Sequence, residues 1–192
     1  MTREAGLGPA EIDALLKSTG AVLEGHFRLA SGRHSPTYIE KFRIMEDPPA
    51  TAALCGMIAD HYRGAGATLV IGPAVGGVIL AYETAKQLGV RSIFAEKGPA
   101  GELMFDRGFA VEPGQPVLIV DDVLTTGGSV KQVQVLVESL GAKVTGIGML
   151  IDRTAGGVAF DVPFFACHSM SIESYPPDDC PLCRENLPLT IT

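Results

Sequence analysis

The stretch that decides the reading is Val117-Leu118-Ile119-Val120-Asp121-Asp122-Val123-Leu124-Thr125-Thr126-Gly127-Gly128-Ser129-Val130. Four aliphatic residues predict a buried strand over Val117 to Val120, with two carboxylates at its carboxyl end and a hydroxyl- and glycine-rich loop opening a helix. The two ends of that loop suit opposite partners. Thr125, Thr126, Gly127, Gly128 and Ser129 offer hydroxyls and backbone N–H groups at a helix N-terminus, which fits a phosphate. Asp121 and Asp122 would repel a phosphate. As acceptors they suit vicinal sugar hydroxyls or a bound Mg²⁺. Phosphate at one end and hydroxyls at the other describe a ribose 5-phosphate ligand.

Outward from this segment the pattern alternates. Apolar runs at Thr68 to Ile71, Val90 to Ala95 and Val144 to Ile151 predict strands, and Val78 to Leu88 and Gly128 to Leu140 predict helices stopped by Gly89 and Gly141. Short apolar strands alternating with helices imply an α/β fold with a central parallel sheet covered on both faces, whose ligands bind at the strands' carboxyl ends. Upstream, Pro9 to Lys17 reads as a short amphipathic helix, Val22 to Leu29 and Thr37 to Ile44 as strands, and Asp47 as the cap of a helix begun by Pro48-Pro49 and stopped by Gly64. No Walker A sequence is present: Gly72 to Gly77 is followed by Val78.

Composition bounds the function. The 192 residues fit one domain, here 1–192, with a core over about 46–168 and an N-terminal part over about 1–45 joined by the C-terminal tail. The net charge of −7, with basic residues scattered singly, excludes a nucleic-acid binder held by a basic stripe. Gly64 to Tyr82 is uncharged, but Pro73 and several glycines break it, so no membrane span is read there. The N-terminus lacks the pattern of a leader, and four cysteines are too few for a disulfide scaffold; both point to the cytoplasm.

The Val117–Val130 segment resembles the signature with which type I phosphoribosyltransferases hold phosphoribosyl pyrophosphate (PRPP). Over nearly the whole chain, from Gly20 to about Leu187, the likeness is to the orotate phosphoribosyltransferases, in a compact subgroup with a cysteine-bearing tail. The resemblance implies the type I fold, a central parallel sheet flanked by helices with a small N-terminal hood. It also implies a pentosyltransferase of pyrimidine biosynthesis that forms orotidine 5′-monophosphate and pyrophosphate from orotate and PRPP, with Mg²⁺ carried by PRPP and no metal bound directly by the protein. A homodimer is implied as well, its lid loop shared between subunits. A phosphoribosyltransferase for another base, or a PRPP-binding regulator without turnover, is the alternative.

Residue roles follow piece by piece. His26 to Tyr38 resembles the hood over the pyrimidine, which implies orotate contacts for Tyr38, suited to stacking, and for Ser31 in the turn. Pro73, Ala74, Val75 and Gly76 match the pyrophosphate loop. Arg153, after Ile151-Asp152, matches the arginine that meets the orotate carboxylate, a task for a two-pronged guanidinium; Thr125 also falls to orotate. Lys97 in the loop Glu96 to Gly108 matches a catalytic lysine of the lid, with Asp121 and Asp122 positioning the ribose. The chain departs from the pattern at Ala30, where a lysine is usual, and at Glu96, Ala100 and Glu102, where basic residues are usual. Lys41 or Arg43 is the candidate for the missing hood charge, and Lys97 with Arg107 for that of the lid. Cys180-Pro181-Leu182-Cys183 forms half a zinc site that Cys167 or His168 would join, with redox or packing roles as alternatives. Cys55, Met57 and His61 read as core or surface residues.

Overall fold

The computed structural model describes residues 6–154 and 156–192; Met1 to Ala5, part of the stretch read for a leader, lie outside the described residues. The six-stranded sheet has the order β5-β4-β3-β6-β7-β8. Its parallel strands are β4 (Arg91–Lys97), β3 (Leu69–Pro73), β6 (Pro116–Leu124), β7 (Lys143–Asp152) and β8 (Phe164–Ser169); β5 (Leu103–Met104) runs antiparallel to β4 at the edge.

Both faces of this sheet are covered, which is why its strands are apolar without alternation. Along β6, Leu118 and Val120 face one core with Leu54, Ile58 and Leu80 from helices α3 (Pro48–Tyr62) and α4 (Gly76–Leu88). Val117 and Ile119 face a second core with Val130, Val133 and Val137 from α5 (Gly128–Ser139). Asp47 accepts from the Ala50 N–H at 3.1 Å and caps α3, with Pro48 and Pro49 in its first turn. Gly89, at φ 73°, ends α4 in the left-handed region.

A second sheet, β2-β1-β9, forms the hood. The hairpin of β1 (Val22–Arg28) and β2 (His34–Ile39) packs on the first core through Ile39, and β9 (Thr190–Ile191) adds parallel to Phe27 and Arg28. Helix α1 (Pro9–Ser18) buries Ile12 and Leu16 in that same core.

The fold class stands, with corrections to the elements. Strand β6 runs past Val120 to Leu124, because Asp121, Val123 and Leu124 stay in register with Met149, Ile151 and Asp152 of β7. The strand expected over Thr37 to Ile44 ends at Ile39, and Phe42–Met45 forms a short helix, α2, that buries Ile44 and Met45. The loop after β4 contains β5. Beyond β7 the chain adds three elements that its sequence pattern does not announce, β8, α6 (Pro181–Arg184) and β9.

Candidate active site

The chain leaves β3 toward β4 on one side and β6 toward β7 on the other, so a crevice opens where the sheet order reverses, between the carboxyl ends of β3 and β6. A cavity of about 350 Å³ occupies that place. Its lining comes from four segments: Pro73 to Gly76 after β3, Asp121, Asp122, Val123, Thr125 and Ser129 from β6 and its loop, Arg153 after β7, and Ala30, Tyr38, Ile39 and Lys41 from the hood.

Asp121 and Asp122 are both buried at the end of β6. Asp121 Oδ1 accepts from the Asp122 N–H at 2.9 Å and Asp122 Oδ1 from the Val123 N–H at 2.7 Å. Burial first, and the neighbouring Asp122 charge second, push the Asp121 carboxyl up to about 7. Lys41 Nζ lies 2.8 Å from Asp122 Oδ2. Burial works against the Lys41 charge, but the hydrogen bond and charge of Asp122 outweigh it and hold the ammonium above its ordinary value. Arg43, the other candidate for the missing hood charge, instead pairs with Glu46 at 2.8 Å on the exposed face of α2. Lys41 is therefore the hood cation in the cavity.

The loop after β3 approaches this acid pair closely. A Cβ on Gly76 would collide with Asp122 Oδ2, so only glycine lets α4 begin there. The Ala74–Val75 peptide within this loop is cis. On the other side, Thr125, Thr126, Gly127, Gly128 and Ser129 line a small recess of about 50 Å³ with Asp121 at its edge. Gly127 caps α5 with φ 75°, turning the first N–H groups of the helix toward the recess, where no carbonyl of the helix can accept them.

At the far wall the Arg153 guanidinium is half-buried, and Nε is sealed from solvent without a hydrogen-bond partner among the described residues. Burial lowers its affinity for the proton, an effect that an incoming anion would reverse. The backbone fixes the position: the Arg153 N–H donates to Leu124 O at 3.0 Å, tying the end of β7 to that of β6.

Two of the expected site residues stand apart from the cavity. Ser31 sits in the exposed hood turn, its Oγ accepting from the Arg33 N–H at 3.4 Å, while its neighbour Ala30 lines the wall. Lys97 ends β4 outside the lining, and Arg107 is held by Glu96 through contacts of 3.1 Å. The zinc expectation needs correction. Cys167 lies 3.3 Å from Leu54 O in the core, a buried thiol, and His168 faces Asp13 at 3.1 Å. Neither reaches Cys180 or Cys183, which meet His26 and His34 instead. The two histidines stand in the stretch quoted for the hood, but their eight-residue spacing carries no metal signature without the hairpin that folds one over the other. Cys55 is buried under α4, which pushes its thiol up to about 12, and His61 stacks on Phe165 with ring centroids 4.3 Å apart.

The model of the phosphoribosyl transferase domain matches residues 43–175. The orotate phosphoribosyltransferase of Chlorobaculum parvum is 45% identical over 180 residues, covering 94% of this chain and 93% of that protein. The chain belongs to the orotate phosphoribosyltransferase family. A relative of the same name from Pelotomaculum thermopropionicum is 46% identical over 178 residues, covering 93% of each. The crystal structure of orotate phosphoribosyltransferase from Aeropyrum pernix superposes with a TM-score of 0.71 at 27% identity, covering 83% of this chain and 93% of that one. Within the family, the fold assigns the crevice between β3 and β6 as the place where the sheet presents its loops, and the acid pair, the α5 mouth and Arg153 all open there.

Proposed function

We propose that this cavity transfers the phosphoribosyl group of PRPP to N1 of orotate, giving orotidine 5′-monophosphate and pyrophosphate. The observation that carries the base assignment is Arg153: a half-buried guanidinium on the cavity wall, with Nε lacking a partner among the described residues, is built to receive a carboxylate. Orotate has one, and uracil lacks it.

The rest of the lining suits the sugar. The α5 mouth with Thr125, Thr126 and Ser129 takes the 5′-phosphate, and Asp121 and Asp122 accept from the ribose hydroxyls. The Pro73–Gly76 loop faces the pyrophosphate, and Tyr38 and Thr125 border the base. During transfer the C1′–oxygen bond to pyrophosphate breaks as the N1–C1′ bond forms, through an oxocarbenium-like state. Positive charge then develops on the sugar beside two carboxylates, and no protein nucleophile is required. Mg²⁺ belongs to the PRPP: when bound it neutralises the leaving pyrophosphate, and the hard oxygens of Asp121 and Asp122 are the donors of this chain fit to face it.

Lys97 neutralises the leaving group from the lid, and closing the lid keeps water from the PRPP. Its position outside the lining of its own chain supports a lid that serves a second copy in a homodimer. That arrangement predicts rescue: at low orotate, mixing the impaired Lys97→Ala and Arg153→Ala chains raises activity above that of either alone, because one site of each hybrid is intact.

A base panel tests the assignment. With PRPP and Mg²⁺, orotate is consumed and orotidine monophosphate forms, while adenine, guanine, xanthine and uracil are poor substrates. Faster turnover of any of these four would replace orotate in the account.

A further inference from the structure

Four side chains from opposite ends of the chain converge at one point of the hood. His26 stands on β1, His34 opens β2, Cys180 precedes α6 and Cys183 lies within it; their ligand atoms all fall within 4.8 Å of one another. His26 Nε2 is 3.0 Å from His34 Nδ1, 3.6 Å from Cys180 Sγ and 3.7 Å from Cys183 Sγ, and Cys183 Sγ is 3.3 Å from His34 Nδ1. Around a tetrahedral Zn²⁺ with ordinary bond lengths, nitrogens stand about 3.3 Å apart and nitrogen and sulfur about 3.6 Å. Four of the six pairs in the cluster lie within a few tenths of an ångström of those spacings, and all six fall within 4.8 Å.

Its proton arrangement agrees. His26 Nδ1 lies 2.9 Å from Leu187 O, a hydrogen bond that requires the proton on Nδ1 and leaves the Nε2 lone pair aimed into the cluster. His26, His34 and Cys180 are buried, at 4%, 5% and 1% exposure, with Cys183 at the open side. Thiols are weak donors, so these groups satisfy one another poorly. Around Zn²⁺ two thiolates cancel the ion's charge and both imidazoles find an electrophile.

We propose that His26, His34, Cys180 and Cys183 form a Zn²⁺ site that fastens the C-terminal tail onto the hood. With four protein ligands the site is closed, hence structural, and separate from the Mg²⁺ of the substrate. The ion would pin the tail to the two strands that carry Ala30 and Tyr38 toward the cavity, alongside β9 on β1 and the contact of Arg33 with Ser174.

The test uses full-length protein made without a histidine tag in zinc-supplemented medium. Elemental analysis should find one zinc per chain, and Co²⁺ substitution should give the intense d–d and thiolate charge-transfer bands of a tetrahedral N2S2 centre. Cys183→Ser, at the exposed ligand, should lose the metal and lower the melting temperature while circular dichroism shows it folded. Cys167→Ser should keep the full complement. Wild-type protein with reduced thiols but no zinc above background would overturn the proposal, as would a Cys183→Ser variant that retains one zinc per chain or a cobalt spectrum without thiolate bands.

Discussion

Arg153 and Asp121 are held in opposite kinds of tension. Arg153 is a half-buried cation whose Nε lacks a partner among the described residues, and Asp121 is a buried acid pushed up to about 7. An anionic ligand relieves Arg153, and hydroxyl donors relieve Asp121. Charged hydrogen bonds contribute about 1.5–3 kcal/mol, so Arg153→Ala should raise the KM for orotate by on the order of 10- to 100-fold, with the KM for PRPP little changed. An equal rise for both substrates would move Arg153 out of the base site. For Asp121 the sign is fixed by its raised value: the free protein holds a proton there below about pH 7, and accepting from ribose hydroxyls favours the ionised form. PRPP binding should therefore release protons near pH 7, and affinity should climb as pH rises toward that value, then level off. Calorimetry in buffers of different ionisation enthalpy reads this directly. Asp121→Asn should abolish the proton release; its persistence would remove Asp121 from the linkage. Lys41 was legible only as one of two candidates, because Lys41 and Arg43 lie two residues apart. The turn into α2 decides between them by leaving one in the cavity and the other outside.

At the scale of elements, the loop that joins β6 to α5 depends on backbone that side chains cannot replace. Gly127 at φ 75° would cost an alanine about 1–2 kcal/mol, and the strain would fall on the mouth that receives the phosphate. Gly127→Ala should lower stability by about that amount in chemical denaturation and weaken PRPP binding further than the stability loss accounts for; unchanged binding would separate α5 from the phosphate. The sequence was most readable where a local pattern repeated: β3, β4, β6 and β7 follow from short apolar runs alternating with helices that Gly89 and Gly141 stop, and α3 from Asp47 with two prolines. It was least readable where partners are remote. Phe164–Ser169 holds a short apolar run that pairing with β7 makes a strand, Thr190–Ile191 becomes one by pairing with β1, and Asp121 stays in β6 because β7 continues beside it.

Across the whole molecule, every group assigned to the reaction except Lys97 and Ser31 lines one crevice or the recess that adjoins it, although they come from segments as far apart as Tyr38 and Arg153. The resemblance implies a shared site for these groups; of the His26–His34–Cys180–Cys183 cluster only the Cys180–Cys183 half is legible in the sequence, since its histidines lie some 150 positions away. Lys97 belongs to this scale, and gel filtration with light scattering should find a dimer in solution; a monomer of full activity would keep the lid within one chain. The measurement closest to the core of the account is titration of PRPP with Mg²⁺ into the protein by calorimetry. One PRPP should bind saturably per chain, and Asp121→Asn and Asp122→Asn should each weaken it. Absence of binding by the intact chain, or affinity indifferent to both acids, would contradict it.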